Sequence, residues 1–79
     1  MAENKGLGDI EELAERMVEE LYNQIGPDAV EEAKAMGMAT SIYASEIEKK
    51  KSEFLKQVDI DKGKASEIFD KMVSKKFYM

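Results

Sequence analysis

The sequence contains neither cysteine nor histidine. Without cysteine the chain can form no disulfide and offers no thiolate to zinc or to an iron–sulfur cluster. Without histidine it lacks the most common general base and the most common transition-metal ligand. Only carboxylates or lysines remain to activate a serine or threonine nucleophile. We therefore expect no enzymatic activity and no bound metal, flavin or nucleotide cofactor.

Arginine is also scarce, because the basic residues are eleven lysines and Arg16 alone. The guanidinium group is the one preferred for recognition of phosphate and guanine. The net charge of −5 opposes non-specific binding to nucleic acid. Residues 1–40 have three basic and ten acidic residues, a net charge of −7, whereas residues 41–79 have nine lysines and seven acidic residues, a net charge of +2. Nucleic acid is thus a less expected partner than protein.

The length and composition fit one small domain. The chain has 79 residues, of which 43% are hydrophobic and 37% are charged. This is too hydrophobic for a disordered chain and too charged for a membrane span. No apolar run is long enough for a signal peptide, so we expect a cytoplasmic protein with no membrane partner. We divide the chain into a flexible arm, residues 1–8, and one helical domain, residues 9–79.

The first predicted helix spans residues 9–25. Its apolar residues recur at the helical spacing i, i+3, i+4, i+7: Ile10, Leu13, Ala14, Met17, Val18, Leu21, Tyr22 and Ile25. Asp9 with Glu12 predicts an N-terminal cap, and Gly26 followed by Pro27 predicts the end of the helix. Leu21 lies in the middle of the apolar stripe, so we expect it to be buried.

Three further helices are predicted, over residues 28–36, 41–57 and 62–76. Asp28 is predicted to cap the second, and Asp61 the last. The small residues at 37–41 favour a break, but the apolar spacing continues across them, so the middle two helices are either separate or one kinked helix. The stripe of the last helix consists of Ala65, Ile68, Phe69, Met72, Val73 and Phe77. No segment alternates like a strand, and the fold expected is an all-α bundle of three to four amphipathic helices.

Two charged runs allow a structural and a functional interpretation. Glu11, Glu15 and Glu19 form an acidic ridge, which is either a solvated face or a docking surface for a basic partner. Residues 49–51 are three lysines. The spacings Glu46 to Lys50 and Lys49 to Glu53 predict an exposed helix face with ion pairs along it.

Two segments are candidates for a contact with a partner. Met36 and Met38 flank Gly37, and Phe77, Tyr78 and Met79 stand together after the last helix. Three consecutive large apolar residues cannot all face inward on one helix, and a break at Gly37 would turn one of the methionines outward. We therefore predict a small non-enzymatic regulator or accessory subunit that binds another protein, or a second copy of itself, through helix faces. Either the terminal residues Phe77, Tyr78 and Met79 or the pair Met36 and Met38 should lie in the interface.

The alternative concerns residues 61–76, which follow a predicted helix and a short polar turn. This arrangement resembles the turn and recognition helix of helix-turn-helix and winged-helix proteins. The resemblance implies a regulator that binds nucleic acid through residues 61–76. The exposed face of this helix departs from the pattern, because it carries Glu67 and Asp70 among Lys71, Ser74 and Lys75. Two carboxylates would lie close to the phosphates.

Overall fold

The computed structural model describes residues 7–59 and 61–78, apart from the side chain of Leu7. They form an all-α bundle, and no strand occurs in these two ranges, which confirms the predicted fold class. The helices are α1 (Leu7–Ile25), α2 (Pro27–Ala35), α3 (Ala39–Ile42), α4 (Ala44–Gln57) and α5 (Lys62–Val73), and a π-helical turn over Ser74–Tyr78 follows α5 directly. Within these ranges, no helix is both long and apolar enough to cross a membrane.

The first helix begins two residues earlier than predicted. Leu7 and Gly8, assigned to the flexible arm, already belong to α1, while residues 1–6 of that arm lie outside the described residues. Asp9 is therefore in the first turn and is not the cap, although a carboxylate there still faces the positive end of the helix dipole. The predicted end at Ile25 is confirmed.

The connection between α1 and α2 is a single glycine. Gly26 has φ +112°, a value that favours glycine, and Pro27 is the first residue of α2. The predicted cap by Asp28 is wrong. Gly26 occupies the cap position without a side chain, and Asp28 lies in the first turn of α2.

The predicted break after α2 is present, and it is made by Gly37. This residue has φ +70°, its N–H donates to the carbonyl of Lys34 at 2.8 Å, and the N–H of Met38 donates to the carbonyl of Ala33 at 2.9 Å. These two bonds are the Schellman arrangement, which satisfies the last carbonyls of a helix and ends it. The middle helices are thus separate.

The predicted helix 41–57 differs from the structure near its start. The helical residues begin at Ala39, two residues earlier than predicted, and are interrupted at Tyr43. It is divided into α3 and α4 by Tyr43, whose φ of −103° and ψ of +24° lie outside helical values. The N–H of Tyr43 still donates to the carbonyl of Ala39, and the carbonyl of Tyr43 accepts from the N–H of Ile47. The chain therefore bends at Tyr43 without losing the hydrogen bonds on either side.

One core occupies the interior of the bundle, and three phenylalanines are its largest fully buried side chains. Phe54 of α4 and Phe69 of α5 have ring centroids 5.2 Å apart, and Phe77 meets the ring of Tyr22 edge-on at 6.2 Å. Leu21 is 3% exposed, which confirms its predicted burial. The rest of the buried set is Ile10, Ala14, Met17, Val18, Val30, Ala33, Ala39, Ile47, Val58, Ala65, Met72 and Val73.

The lysine run of α4 is only partly the exposed face that its spacing predicts, because Lys49 is exposed but Lys50 and Lys51 are not. The side chains of Lys50 and Lys51 are only 13% and 17% exposed, because their long apolar stems lie over neighbouring helices. The Lys50 ammonium is 3.5 Å from Glu20 of α1, and that of Lys51 is 2.9 Å from Asp70 of α5. Neither predicted pair, Glu46 with Lys50 or Lys49 with Glu53, is among the ion pairs of the described part of the chain. Within α4 the one ion pair of the described residues joins Lys50 to Glu53 at 4.0 Å, and the closer pairs of Lys50 and Lys51 link α4 to α1 and α5.

Asp61 is the one predicted cap that the structure confirms, since its carboxylate accepts from the N–H of Gly63 at 2.9 Å at the start of α5. We expect Asp61→Ala to lower the free energy of unfolding by about 1 kcal/mol, because an N–H of the first turn loses its acceptor. Urea melts followed by circular dichroism measure the change. Asp61→Asn keeps an acceptor oxygen and should cost less than half as much. Equal losses for the two variants would contradict a capping role.

Candidate protein-interaction surface

The exposed large hydrophobic residues are concentrated in a short part of the chain. Among the described residues, Met36 is 58% exposed, Met38 47%, Ile42 47% and Tyr78 69%. The first three lie within seven residues of one another, from the end of α2 to the end of α3. We call Met36, Met38 and Ile42 the apolar corner.

The backbone at Gly37 creates the apolar corner. The glycine turn ends α2 at once, so that Met36 follows the last turn of α2 and Met38 precedes the first turn of α3. The N–H of Ile42 donates to the carbonyl of Met38 at 2.8 Å, which places these two residues one helical turn apart on the same side of α3. Ala39 is 2% exposed and forms the inner side. With Ala39 buried, Ile42 of α3 and Met38, which precedes the helix, both face outward.

The apolar corner lies in the longest stretch of the sequence without a charge. Residues 35–45 contain no Asp, Glu, Lys or Arg, although 37% of the chain is charged. The other exposed residues of this stretch are small: Ala35, Gly37, Thr40, Ser41, Ala44 and Ser45. A partner that covers these residues removes water from no charged side chain among them, so the desolvation cost of binding is low.

The C-terminal π-helical turn lies against the helices that carry the apolar corner. Ser74–Tyr78 packs on α1, α2 and α3. Within this turn Phe77 is 1% exposed and Tyr78 is 69% exposed, so adjacent residues face the core and the solvent. The turn thus combines a buried anchor, Phe77, with an exposed aromatic residue, Tyr78.

The five residues predicted to contact a partner do not all lie on the described surface. Met36, Met38 and Tyr78 are exposed, whereas Phe77 belongs to the core and does not contribute to the exposed surface. Met79 lies outside the described residues. The sequence interpretation missed Ile42. Ile42 could have been identified from the charge pattern, because residues 35–45 contain no charged residue. This pattern indicates the whole segment as a candidate contact and not only its methionines.

A network of polar contacts fastens the terminal turn. The Tyr22 hydroxyl donates to Glu31 Oε2 at 2.6 Å, and Lys34 lies 3.4 Å from the same oxygen. The ammonium of Lys76 lies 4.6 Å from the centre of the Tyr22 ring and 3.7 Å from Glu19. The hydrogen bond between Tyr22 and Glu31 is the main cause that lowers the pKa of Glu31 and raises the pKa of Tyr22. Tyr22 thereby joins α1 both to α2 and to the turn.

These opposite pKa shifts predict how stability varies with pH. The lowered pKa of Glu31 gives stability that is complete above its unfolded-state pKa and is lost as pH falls through the folded-state pKa. The raised pKa of Tyr22 gives stability that is complete below the unfolded-state value of 10.0 and is lost as pH rises through the folded-state pKa. Tyr22→Phe keeps the ring but removes the bond, so its deficit against the wild type should be largest near neutral pH and shrink at both extremes.

Thermal melts of both proteins over about pH 3–11 test this expectation, since that range includes both ordinary pKa values. Glu31→Gln is the second variant. This variant removes the contribution of Glu31 to the loss of stability at acidic pH, while the tyrosine ring stays in place. A deficit of Tyr22→Phe that is the same at every pH would show that the hydrogen bond is not coupled to either titration.

The depressions on the surface of the described residues are either small or wide open to solvent. A cleft of about 140 Å³ lies between α1 and the end of α5, and Val18, Met72, Glu15, Glu19, Lys75 and Lys76 line it. Two larger depressions, of about 440 Å³ on α4 and about 310 Å³ on the acidic side of α1, are wide open to solvent and each is lined by a single helix. Ligand pockets of ~300–1,000 Å³ usually enclose most of the ligand surface. In the part of the chain that the structure describes, no group of three or more acidic residues is arranged to hold a metal ion. The acidic ridge Glu11, Glu15 and Glu19 is exposed.

The outer face of α5 carries charges of both signs. Glu67, Asp70 and Lys71 are exposed on it, as predicted. Asp70 is paired with Lys51 of α4 at 2.9 Å. A helix inserted into a nucleic-acid groove would bring both carboxylates towards the phosphates.

Comparisons of the chain with protein-family models, with curated proteins and with solved structures gave no significant match.

Proposed function

We propose that this chain is a small, non-enzymatic, cytosolic regulator or accessory subunit that acts by binding a protein partner through the apolar corner. The observation that carries the proposal is the concentration of exposed Met36, Met38 and Ile42 on a charge-free segment of a highly charged chain. Contiguous exposed apolar surface on a small domain usually marks a contact with another macromolecule.

The chemistry of the apolar corner defines the kind of contact. Methionine has three rotatable bonds and a polarizable sulfur, so Met36 and Met38 can adapt to the shape of an apolar partner surface. Each square ångström of apolar surface that the partner covers contributes about 25 cal/mol. No charged residue takes part, so the affinity should change little with salt concentration.

A capture experiment tests the proposal. The chain is used as bait in an extract of its own cells, and Ile42→Lys is compared with Asn23→Lys, which places the same charge on an exposed position of α1. Proteins that bind through the apolar corner should be lost from Ile42→Lys and kept by Asn23→Lys. Equal capture by both variants, with both folded by circular dichroism, would contradict the proposal.

Residues 61–76 receive no comparable support as a nucleic-acid surface, because Glu67 and Asp70 are exposed on α5. Titration with duplex DNA distinguishes the two functions. Binding to phosphates weakens steeply between low and moderate salt, whereas a contact through the apolar corner does not.

A further inference from the structure

We infer that Met36 and Met38 form a reversible oxidation site, at which hydrogen peroxide converts the two thioethers to sulfoxides and thereby weakens binding at the apolar corner. This inference rests on the proposed function, because it concerns the regulation of that same contact. It goes further by naming the atoms that are modified, the two methionine sulfurs, and the chemical class of the oxidant, a peroxide.

The methionines that the structure describes fall into two groups by exposure. Met36 is 58% exposed and Met38 47%, whereas Met17 of α1 is 6% exposed, Met72 of α5 is 9% exposed, and both belong to the core. The other two of the six methionines are the first and last residues of the chain and lie outside the described residues. A core side chain meets a solute only when the fold opens around it. Among the described methionines, a dissolved oxidant therefore reaches the pair at the apolar corner first.

Hydrogen peroxide oxidises a thioether without a cofactor. A lone pair of the methionine sulfur attacks one peroxide oxygen, so the O–O bond breaks and an S–O bond forms. The hydroxide that leaves takes the proton of the new S–OH group and becomes water, and the two electrons that the sulfur loses reduce the peroxide. Methionine sulfoxide reductases reverse the step with two thiols, which become a disulfide while the oxygen leaves as water. Because the chain has no cysteine, no thiol of its own competes for the peroxide.

The sulfoxides should weaken the complex and leave the fold intact. Oxidation replaces an apolar sulfur by a polar group whose oxygen accepts hydrogen bonds. In the free chain both side chains are exposed, so water satisfies this oxygen. In the complex an apolar partner surface covers it, and residues 35–45 supply no ammonium or guanidinium group to pair with it. The desolvation cost therefore falls on the bound state alone.

Peptide mapping by mass spectrometry after mild peroxide treatment tests where oxygen is added. Trypsin cuts after lysine and arginine, so it releases the described methionines on the fragments 17–34, 35–49 and 72–75, and the pair lies on the middle one. Met1 and Met79 leave on two further fragments. We expect fragment 35–49 to gain oxygen at least about tenfold faster than the other two fragments, because their sulfurs react only when the core opens. In concentrated urea the three fragments should react at similar rates.

Capture from an extract tests the effect on binding, with the double variant Met36→Leu, Met38→Leu as the matched control. Leucine has a similar volume and stays apolar, but it cannot be oxidised. The readout is the set of proteins that Ile42→Lys fails to capture. Oxidised wild type should retain this set at least about tenfold more weakly than untreated wild type, and treatment with the sulfoxide reductases should restore it. The oxidised double variant should capture as well as the untreated one.

The outcomes separate this inference from the proposed function. The inference is wrong and the proposed function stands if Ile42→Lys loses its captured proteins but oxidised wild type keeps them. The same holds if peroxide abolishes capture by the double leucine variant as well, if the core methionines react as fast as the exposed pair, or if oxidised wild type loses its helical circular dichroism. If Ile42→Lys and Asn23→Lys capture equally, the proposed function fails, and the inference fails with it.

Discussion

Replacing Phe54 by alanine should lower the free energy of unfolding by about 3–5 kcal/mol. The Phe54 ring is 0% exposed and packs against Phe69, also 0% exposed, with 5.2 Å between ring centroids. This contact joins α4 to α5 at the centre of the core, so the alanine variant leaves a cavity that no side chain of comparable size can fill. A domain of this length has a total stability of only about 4–12 kcal/mol. We therefore expect the variant to be close to unfolding at room temperature.

Urea melts monitored by circular dichroism measure this loss. Met36→Ala is the control, because it removes a large apolar side chain that is 58% exposed, and it should change the stability by less than about 0.5 kcal/mol. A loss below about 1 kcal/mol for Phe54→Ala would mean that α4 and α5 do not pack through these rings.

Phe77→Ala and Tyr78→Ala should differ sharply although the two residues are adjacent. Phe77 is 1% exposed and meets the Tyr22 ring, whereas Tyr78 is 69% exposed. We expect Phe77→Ala to cost about 3–5 kcal/mol, because the turn loses the side chain that anchors it in the core. Tyr78→Ala should cost less than about 0.5 kcal/mol. The two variants share one turn, so each is the control for the other in the same urea melts.

One result would instead support the prediction from the sequence that Phe77 contacts a partner. If Phe77→Ala leaves the stability unchanged but weakens binding to a partner, then Phe77 is part of the interaction surface and not of the core.

Local signals explain what could be predicted from the sequence. The stripe of α1 repeats with the helical period over four turns, and Gly26 with Pro27 ends it whatever the rest of the chain does. Asp61 caps α5 through a bond to a residue two positions away. Each of these features depends on neighbours along the chain, so the pattern of residues is sufficient to predict it.

The other features depend on distant parts of the chain or on segments too short to show a period. Lys50 and Lys51 lie between buried Ile47 and Phe54, but their partners Glu20 and Asp70 are on other helices, so the local pattern does not predict these ion pairs. Ile42 lies in a helix of one turn, which is too short for a period to show which side faces the core. Phe77 continues the stripe of α5 four residues after Val73, as the sequence predicts, so its burial disagrees only with its second assignment, to the terminal partner contact.

The packing of α1 against α5 and the terminal turn also determines when the fold can be completed during synthesis. The ribosome makes α1 first, but the helix that covers its apolar stripe comes much later in the chain. At about 5–20 residues per second, the stretch between α1 and α5 takes about 2–7 s to translate. Until α5 and Phe77 are made, the stripe of α1 can be covered only by the short helix α2 and by α4. The core therefore cannot close while the chain is growing through these residues, and its last step is the docking of the terminal turn.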